Sequence, residues 1–301
     1  MRVVEILEDA CRGHKSPLNA MSVDVEEHFH AAALANAYPR AGWAGLESRV
    51  TASTESVITQ FDRWGAKGTF FTLGCVAERY PRLVRKIVDA GHEIASHGYD
   101  HIRVTDQMPQ AFAADVTRTR KVLEDIGGQA VLGYRAANFS INDRTEWAFE
   151  ALADAGYRYS SSINPIRHDH YGSPDAPRQP FRPGPGPVVE IPITAVPWLG
   201  RRWPAGGGGY FRLLPYGLWR RAVRRVNCAE ARPVNFYFHP WEIDPGQPRA
   251  KVGAVARFRH YVNLDTMQSK LDRLLAEFRW GRMDQVYAEA LAGGALARSA
   301  A

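Results

Sequence analysis

The chain has 301 residues, of which 45% are hydrophobic, 11% aromatic and 23% charged. These are ordinary globular values, so disorder, collagen and a coiled coil are excluded for the chain as a whole. The net charge of +6 points at first to nucleic acid or an acidic surface, yet residues 201–232 hold eight arginines against one acid, Glu230, leaving 30 basic against 31 acidic residues elsewhere. The basicity is therefore one local segment. No recognition motif accompanies it, and no nucleic-acid partner is expected.

Cys11, Cys75 and Cys228 are scattered, with no CxxC spacing. Neither a disulfide framework nor a thiolate zinc site is indicated, and reduced thiols are expected. The opening MRVVEILEDACRGHKSPLN interrupts its apolar patch with Glu5, Glu8 and Asp9, and no stretch reaches the ~20 apolar residues of a membrane span. The expectation is a soluble, cytoplasmic protein.

From residue 20 onward short apolar runs alternate with amphipathic stretches. Strands are expected at 20–25, 68–73, 92–97, 130–137, 157–162, 188–194 and 234–239. The first helix places Val57, Ile58, Phe61 and Trp64 on one face and stops near Gly65. Pro81 opens the second, with Leu83, Val84, Ile87 and Val88, and Gly91 closes it. The third carries Phe112, Val116, Thr119 and Leu123 and stops at Gly127-Gly128. Asp143 with Glu146 resembles a capping box before Trp147, Phe149 and Leu152. Residues 163–187, with seven prolines, and 195–211, with the run Gly206 to Gly209, read as long loops. A last helix from about Asn263 buries Leu264, Met267, Leu271, Leu274, Leu275 and Phe278.

Seven strands joined by helices form either an open doubly wound sheet or a barrel. The reactive side chains fall at strand ends: Asp24 and Glu26 on the first, His97 on the third, Arg135 on the fourth and His239 on the seventh. A ring of strand ends gathers such residues, whereas an open sheet separates the first strand from the seventh. The expected fold is thus α/β, a distorted (β/α) barrel of about seven strands. It forms one domain over 1–301, with a core at about 20–245 and a C-terminal helical extension at about 246–295.

His97 and His101, in SHGYDH, have the i, i+4 spacing that shares one face if the segment begins a helical turn. Asp24 and Glu26, in SVDVEE, lie two apart and face the same way on a strand, with Glu27 on the other face. Two neutral imidazoles and a carboxylate make a metal site with open positions for water and substrate, the arrangement a hydrolase needs. His239 ends the apolar strand NFYFH. Arg135, at the end of VLGYR, is costly to bury without a carboxylate or substrate partner.

SVDVEEHF, GTFFTLGCVAERYPRLVRKIVDAGHEIASHGYDH, GYRAANFSI, YSSSINPIRHDHYG, GGGYFRLLP, NFYFHPWEIDP and RFRHYVNLD together resemble the NodB-type polysaccharide deacetylases. The resemblance spans about residues 20–280, and the HPWEIDP block resembles the subgroup associated with exosortase and exopolysaccharide gene clusters. It implies a hydrolase that removes N-acetyl groups from N-acetylhexosamine units of an exopolysaccharide or its precursor. One divalent ion, zinc by preference with cobalt, manganese or nickel as alternatives, would be held by Glu26, His97 and His101. Asp24 would be the general base, His239 the general acid and Arg135 the group orienting the base. Trp241, Tyr99 and Asn138 are candidates for substrate contact, with Trp198, Phe139 and Tyr210 as further aromatics.

Three departures set the alternative of a catalytically impaired carbohydrate-binding barrel. Glu26 stands where the family usually has Asp, Ala137 and Asn138 stand in the arginine motif, and Ser160 stands where an Asp usually holds the catalytic His or Arg. Arg220, Arg221, Arg224 and Arg225 read first as a solvated helix face. Their second reading is a contact with an anionic lipid carrier or membrane surface, a peripheral membrane association. Oligomeric state is not legible.

Overall fold

The structure is a computed structural model that describes residues 17–168, 171–294 and 296. The amino-terminal segment with Cys11 lies outside the described residues. The strands are β1 (Asn19–Val25), β2 (Thr69–Thr72), β3 (Glu93–Ser96), β4 (Gly133–Tyr134), β5 (Tyr159–Ser160), β6 (Val189–Glu190), β7 (Ala195–Trp198), β8 (Arg201–Pro204), β9 (Asn235–Phe238) and β10 (Trp280–Gly281). The first six run side by side in chain order, all parallel, and β9 and β10 both pair with β1. The seven expected strands are all present, several trimmed to their centres. They curl into the expected distorted barrel.

Closure occurs between β6 and β9. Thr194 donates its N–H to Asn235 O, Ala205 donates to Thr194 O, and Tyr237 donates to Gly206 O. A Cβ at Gly206 would lie 2.5 Å from Asn235 O and 2.7 Å from Ile193 Cγ2, so only glycine fits this seam. Gly206 is therefore a tight passage between strands, and Gly208 and Gly209 begin the helix that follows, where the composition suggests an open loop. The preceding residues also depart from expectation: β7 and β8 form an antiparallel hairpin.

Helices α1 (Val50–Arg63), α2 (Gly74–Arg79), α3 (Pro81–Asp89), α4 (Pro109–Gly127) and α5 (Trp147–Asp154) cover the outside. Pro81 and Pro109 occupy first turns, where their missing N–H costs nothing, and Gly128 at φ 66 returns its N–H to Glu124 O. The capping box at Asp143 does not form. Thr145 Oγ1 accepts the Asn142 N–H and Asn142 Oδ1 accepts the Arg144 N–H, so this local turn delays α5 to Trp147. The chain continues through α6 (Gly208–Leu213), α7 (Tyr216–Arg224), α8 (Ala254–Tyr261) and α9 (Leu264–Glu277).

The period of two on β1 sorts its side chains: Met21, Val23 and Val25 pack outward beneath the helices, while Ala20 joins Phe71, Ala95, Tyr159 and Met283 inside the barrel. Ser22, Asp24 and Glu26 follow Ala20 inward. The C-terminal extension returns to the barrel, since β10 pairs β1 and Met283 enters the interior cluster. Cys75 is a free thiol, pushed up to about 12 by burial. No described helix is long and apolar enough to cross a membrane.

Candidate active site

At the carboxyl end of β1, Asp24 Oδ1 lies 2.6 Å from Arg135 Nη1, both side chains being almost wholly buried. The rest of the guanidinium is spoken for: Nε donates to Ser161 O and Nη2 to Ser161 Oγ, each at 3.0 Å, and the Phe71 ring lies 4.0 Å away. Arg135 thus has the carboxylate partner that its burial requires, and it fixes one oxygen of Asp24. Glu27 faces the opposite way, accepting the N–H groups of Arg49 and Val50 at the start of α1.

Two residues on, Glu26 Oε2 lies 2.8 Å from His101 Nε2 and 3.8 Å from His97 Nε2. Candidate ligand atoms of the three side chains all lie within 4.8 Å of one another. The segment is not helical as the spacing suggested: Gly98 at φ 75 and His101 at φ 56 fold it into a tight turn that brings the rings to 5.2 Å. His97 Nδ1 donates to Arg135 O at 2.8 Å, which leaves the lone pair of Nε2 facing the cavity. Burial lowers His97 to about 4, so the imidazole is neutral. Burial by itself would raise Glu26, but His101, His239 and His97 hold it well below the ordinary carboxylate range. Its Oε2 is buried and faces the two imidazole nitrogens. A carboxylate and two imidazoles so arranged fit a divalent cation.

His239 sits at the end of β9, its Nε2 3.6 Å from Glu26 Oε1 and 3.9 Å from Asp24 Oδ2. Its Nδ1 meets Glu242 Oε1 at 2.9 Å, and Glu242 Oε2 accepts from Arg212 Nε at 2.7 Å. Arg212 in turn donates to the carbonyls of His260 and Val262. Burial would lower His239, yet Glu26, Glu242 and Asp24 around it push it up to about 9. The sequence reading assigned Arg212 no role and took Glu242 only as a brace for the following loop. Gly208 makes room for the pair, since a Cβ there would lie 2.3 Å from Glu242 Oε1. Ser160, expected to mark a lost charge, bonds Ser162 Oγ at 2.8 Å, while the neighbouring Ser161 holds Arg135. The charge beside His239 comes from Glu242.

Asp24, Glu26, His97, His101, His239 and Glu242 line a cavity of about 180 Å³ together with Asn138, Phe139, Tyr171, Tyr237 and Gly209. Asn138 (φ 53) and Phe139 (φ 51) are successive left-handed residues, a costly backbone for Phe that turns the Arg135 loop over the cavity. The other two proposed substrate contacts stand differently. Tyr99 packs against Gly74 and under Arg118 with its hydroxyl on Glu78, and does not line this cavity. Trp241 lines it but is buried, its ring faces covered by His239 at 4.9 Å and His260 at 4.3 Å, with Nε1 donating to Glu26 Oε1. It buttresses the carboxylate, and no face is open for a sugar. Tyr210 lines an adjoining cavity of about 570 Å³ with Leu213, Val255 and Phe258, and Trp198 is on the β7–β8 hairpin. His30, also unassigned from sequence, stacks on His101 at 5.7 Å and is held neutral by burial, which lowers it to about 3.

Residues 42–160 match the polysaccharide deacetylase family model, and residues 161–288 match a domain of unknown function, DUF3473. Over residues 42–160 the chain is similar to the polysaccharide deacetylases. Strands β1 to β5 precede the boundary between the two matches, and β6, β9 and β10 from the second match complete the barrel. The chain is 28% identical over 98 residues to the peptidoglycan-N-acetylglucosamine deacetylase of Bacillus cereus, covering 32% of this chain and 36% of that one. Over 75 residues it is 33% identical to the peptidoglycan-N-acetylglucosamine deacetylase of Listeria monocytogenes, covering 25% and 16%. It thus spans well under half the length of these curated relatives. A Mycobacterium smegmatis protein assigned to the polysaccharide deacetylases has the same fold in its crystal structure, with a TM-score of 0.62, 20% identity and coverage of 96% and 95%.

Proposed function

We propose that this chain is a metal-dependent N-deacetylase acting on N-acetylhexosamine units of an exopolysaccharide or its precursor, in the subgroup associated with exosortase loci. The observation that carries the reading is the convergence of the Glu26, His97 and His101 donor set, the Asp24–Arg135 pair and His239 on one cavity. A divalent ion held by Glu26, His97 and His101 supplies a Lewis acid for the acetyl carbonyl and the attacking water. Asp24, with one oxygen fixed by Arg135 and the other directed toward His239, takes a proton from that water. His239, protonated on Nε2 and held by Glu242, gives a proton to the nitrogen as the C–N bond breaks. Amide and water then yield acetate and a free amine. The turn at Ala137 to Phe139 is the proposed source of the backbone N–H that meets the oxyanion.

Peripheral membrane association is part of this reading, since seven arginines and no acid fall between Glu190 and Glu230. The α7 arginines alone do not carry it, because Arg220 pairs with Glu277 at 2.6 Å and Arg225 lies 4.0 Å from Glu230.

The test is bound metal together with acetate release from N-acetylglucosamine oligomers. His97→Ala should lose both. Asp24→Asn should keep the metal and lose about 10²–10⁴ in rate. Metal-free protein with unchanged behaviour in all three forms would overturn the reading, and glycan binding without acetate release at any added metal would favour an impaired carbohydrate-binding barrel.

A further inference from the structure

The acid-free stretch between Glu190 and Glu230 carries the β7–β8 hairpin. Its register sets Trp198 opposite Arg201 and Val196 opposite Trp203, so these four side chains share one face, on which the two indole rings lie 5.6 Å apart. The hairpin is held to the proline-rich loop: Arg202 Nη1 donates to Ala176 O at 2.5 Å and Arg178 Nε to Ala195 O at 2.9 Å. The tip is open. Trp198 is 55% exposed, Trp203 43% and Leu199 82%.

Leu199 (φ 50) and Gly200 (φ 71) form the two-residue connection, a turn with both residues in the left-handed region, where Asn-Gly or Asp-Gly is favoured. A branched apolar side chain at its first position is strained and surrounded by water, so folding alone gives no reason for it. Tryptophan favours the interfacial layer of a bilayer, and arginine is drawn to anionic headgroups.

We propose that this hairpin is a membrane contact, inserting Trp198, Leu199 and Trp203 into the interface of an anionic bilayer while Arg201 meets the headgroups. The inference rests on the membrane part of the proposed function and is independent of the deacetylation chemistry. Charge complementarity selects the occupant. A contact with the same hairpin of a second copy would bring two acid-free, arginine-bearing strands together, and a nucleic acid would leave the apolar tip unexplained.

The test is cosedimentation of the full chain, without substrate, with phosphatidylcholine vesicles containing or lacking phosphatidylglycerol. Binding is expected only with phosphatidylglycerol, weakening as salt rises and shifting tryptophan emission to the blue. Leu199→Asn suits the turn better than leucine, so it should keep or raise the melting temperature while lowering vesicle affinity about tenfold or more. Arg201→Gln should lower it about fivefold. Absence of binding to phosphatidylglycerol vesicles, wild-type affinity in Leu199→Asn, or a wild-type dimer that Leu199→Asn dissociates would each overturn the proposal.

Discussion

His239 Nδ1 and Glu242 Oε1 lie 2.9 Å apart, and the far oxygen of the same carboxylate accepts from the buried guanidinium of Arg212. Burial would raise Glu242, but Arg212 and His239 hold it down to about 2. The imidazole is therefore fixed in orientation with its Nδ1 proton in place, and Nε2 is left facing the cavity.

Glu242→Gln should lower kcat for acetate release about 10–100-fold with KM little changed and metal content as in the wild type. The same change leaves Arg212 buried without its counter-charge, so unfolding by denaturant should show a loss of about 3 kcal/mol or more. A raised KM with unchanged kcat would instead give Glu242 a role in holding substrate.

Glu190 makes the stability depend on pH. Its carboxyl is buried beside β5, pushed up to about 7 by burial despite the N–H groups of Ser162 and Ile163 on Oε1. In the unfolded chain the group titrates near about 4.3. The folded state therefore binds the proton more tightly. The contribution is fully present below the unfolded value and is lost as pH rises through about 7. Between roughly pH 5 and pH 8 the wild type should lose about 2–3 kcal/mol more stability than Glu190→Gln, whose amide oxygen can accept the same two N–H groups. Parallel denaturation curves for the two proteins across that range would refute this.

Gly206 holds the barrel seam. Gly206→Ala puts a methyl against Asn235 O and Thr194 N, backbone atoms that cannot give way, and against Ile193 Cγ2. Thermal and denaturant unfolding should show a loss of about 1–3 kcal/mol. Gly217→Ala, with nothing within 4 Å of the added atom, is the control and should leave stability unchanged or raise it.

The alternation of short apolar runs with amphipathic stretches was enough to locate the seven barrel strands, because a parallel strand buried on both faces needs a continuous apolar run. The same alternation, read with a period of two, placed Asp24 and Glu26 on one face and Glu27 on the other, as found. Local signals also marked α3 through Pro81 and Gly91, and the end of α4 through Gly127 and Gly128. They failed where competing local bonds decided the outcome, as at Asn142 and Thr145, and where glycines served close packing, as at Gly206 and Gly208.

What the sequence by itself determined was the set of strand ends and the chemistry they carry, since both follow from residue type and short-range periodicity. Only the tertiary structure decided which distant groups meet. Asp24 finds Arg135 across 111 positions, and Glu242 finds Arg212 across 30, because barrel closure is set by packing summed over the whole chain. It also decided that Trp241 is covered by two imidazoles and Tyr99 turns away from the cavity. Spacing fixes which way a side chain leaves its own strand, whereas the neighbour it meets depends on curvature and register that no local pattern encodes.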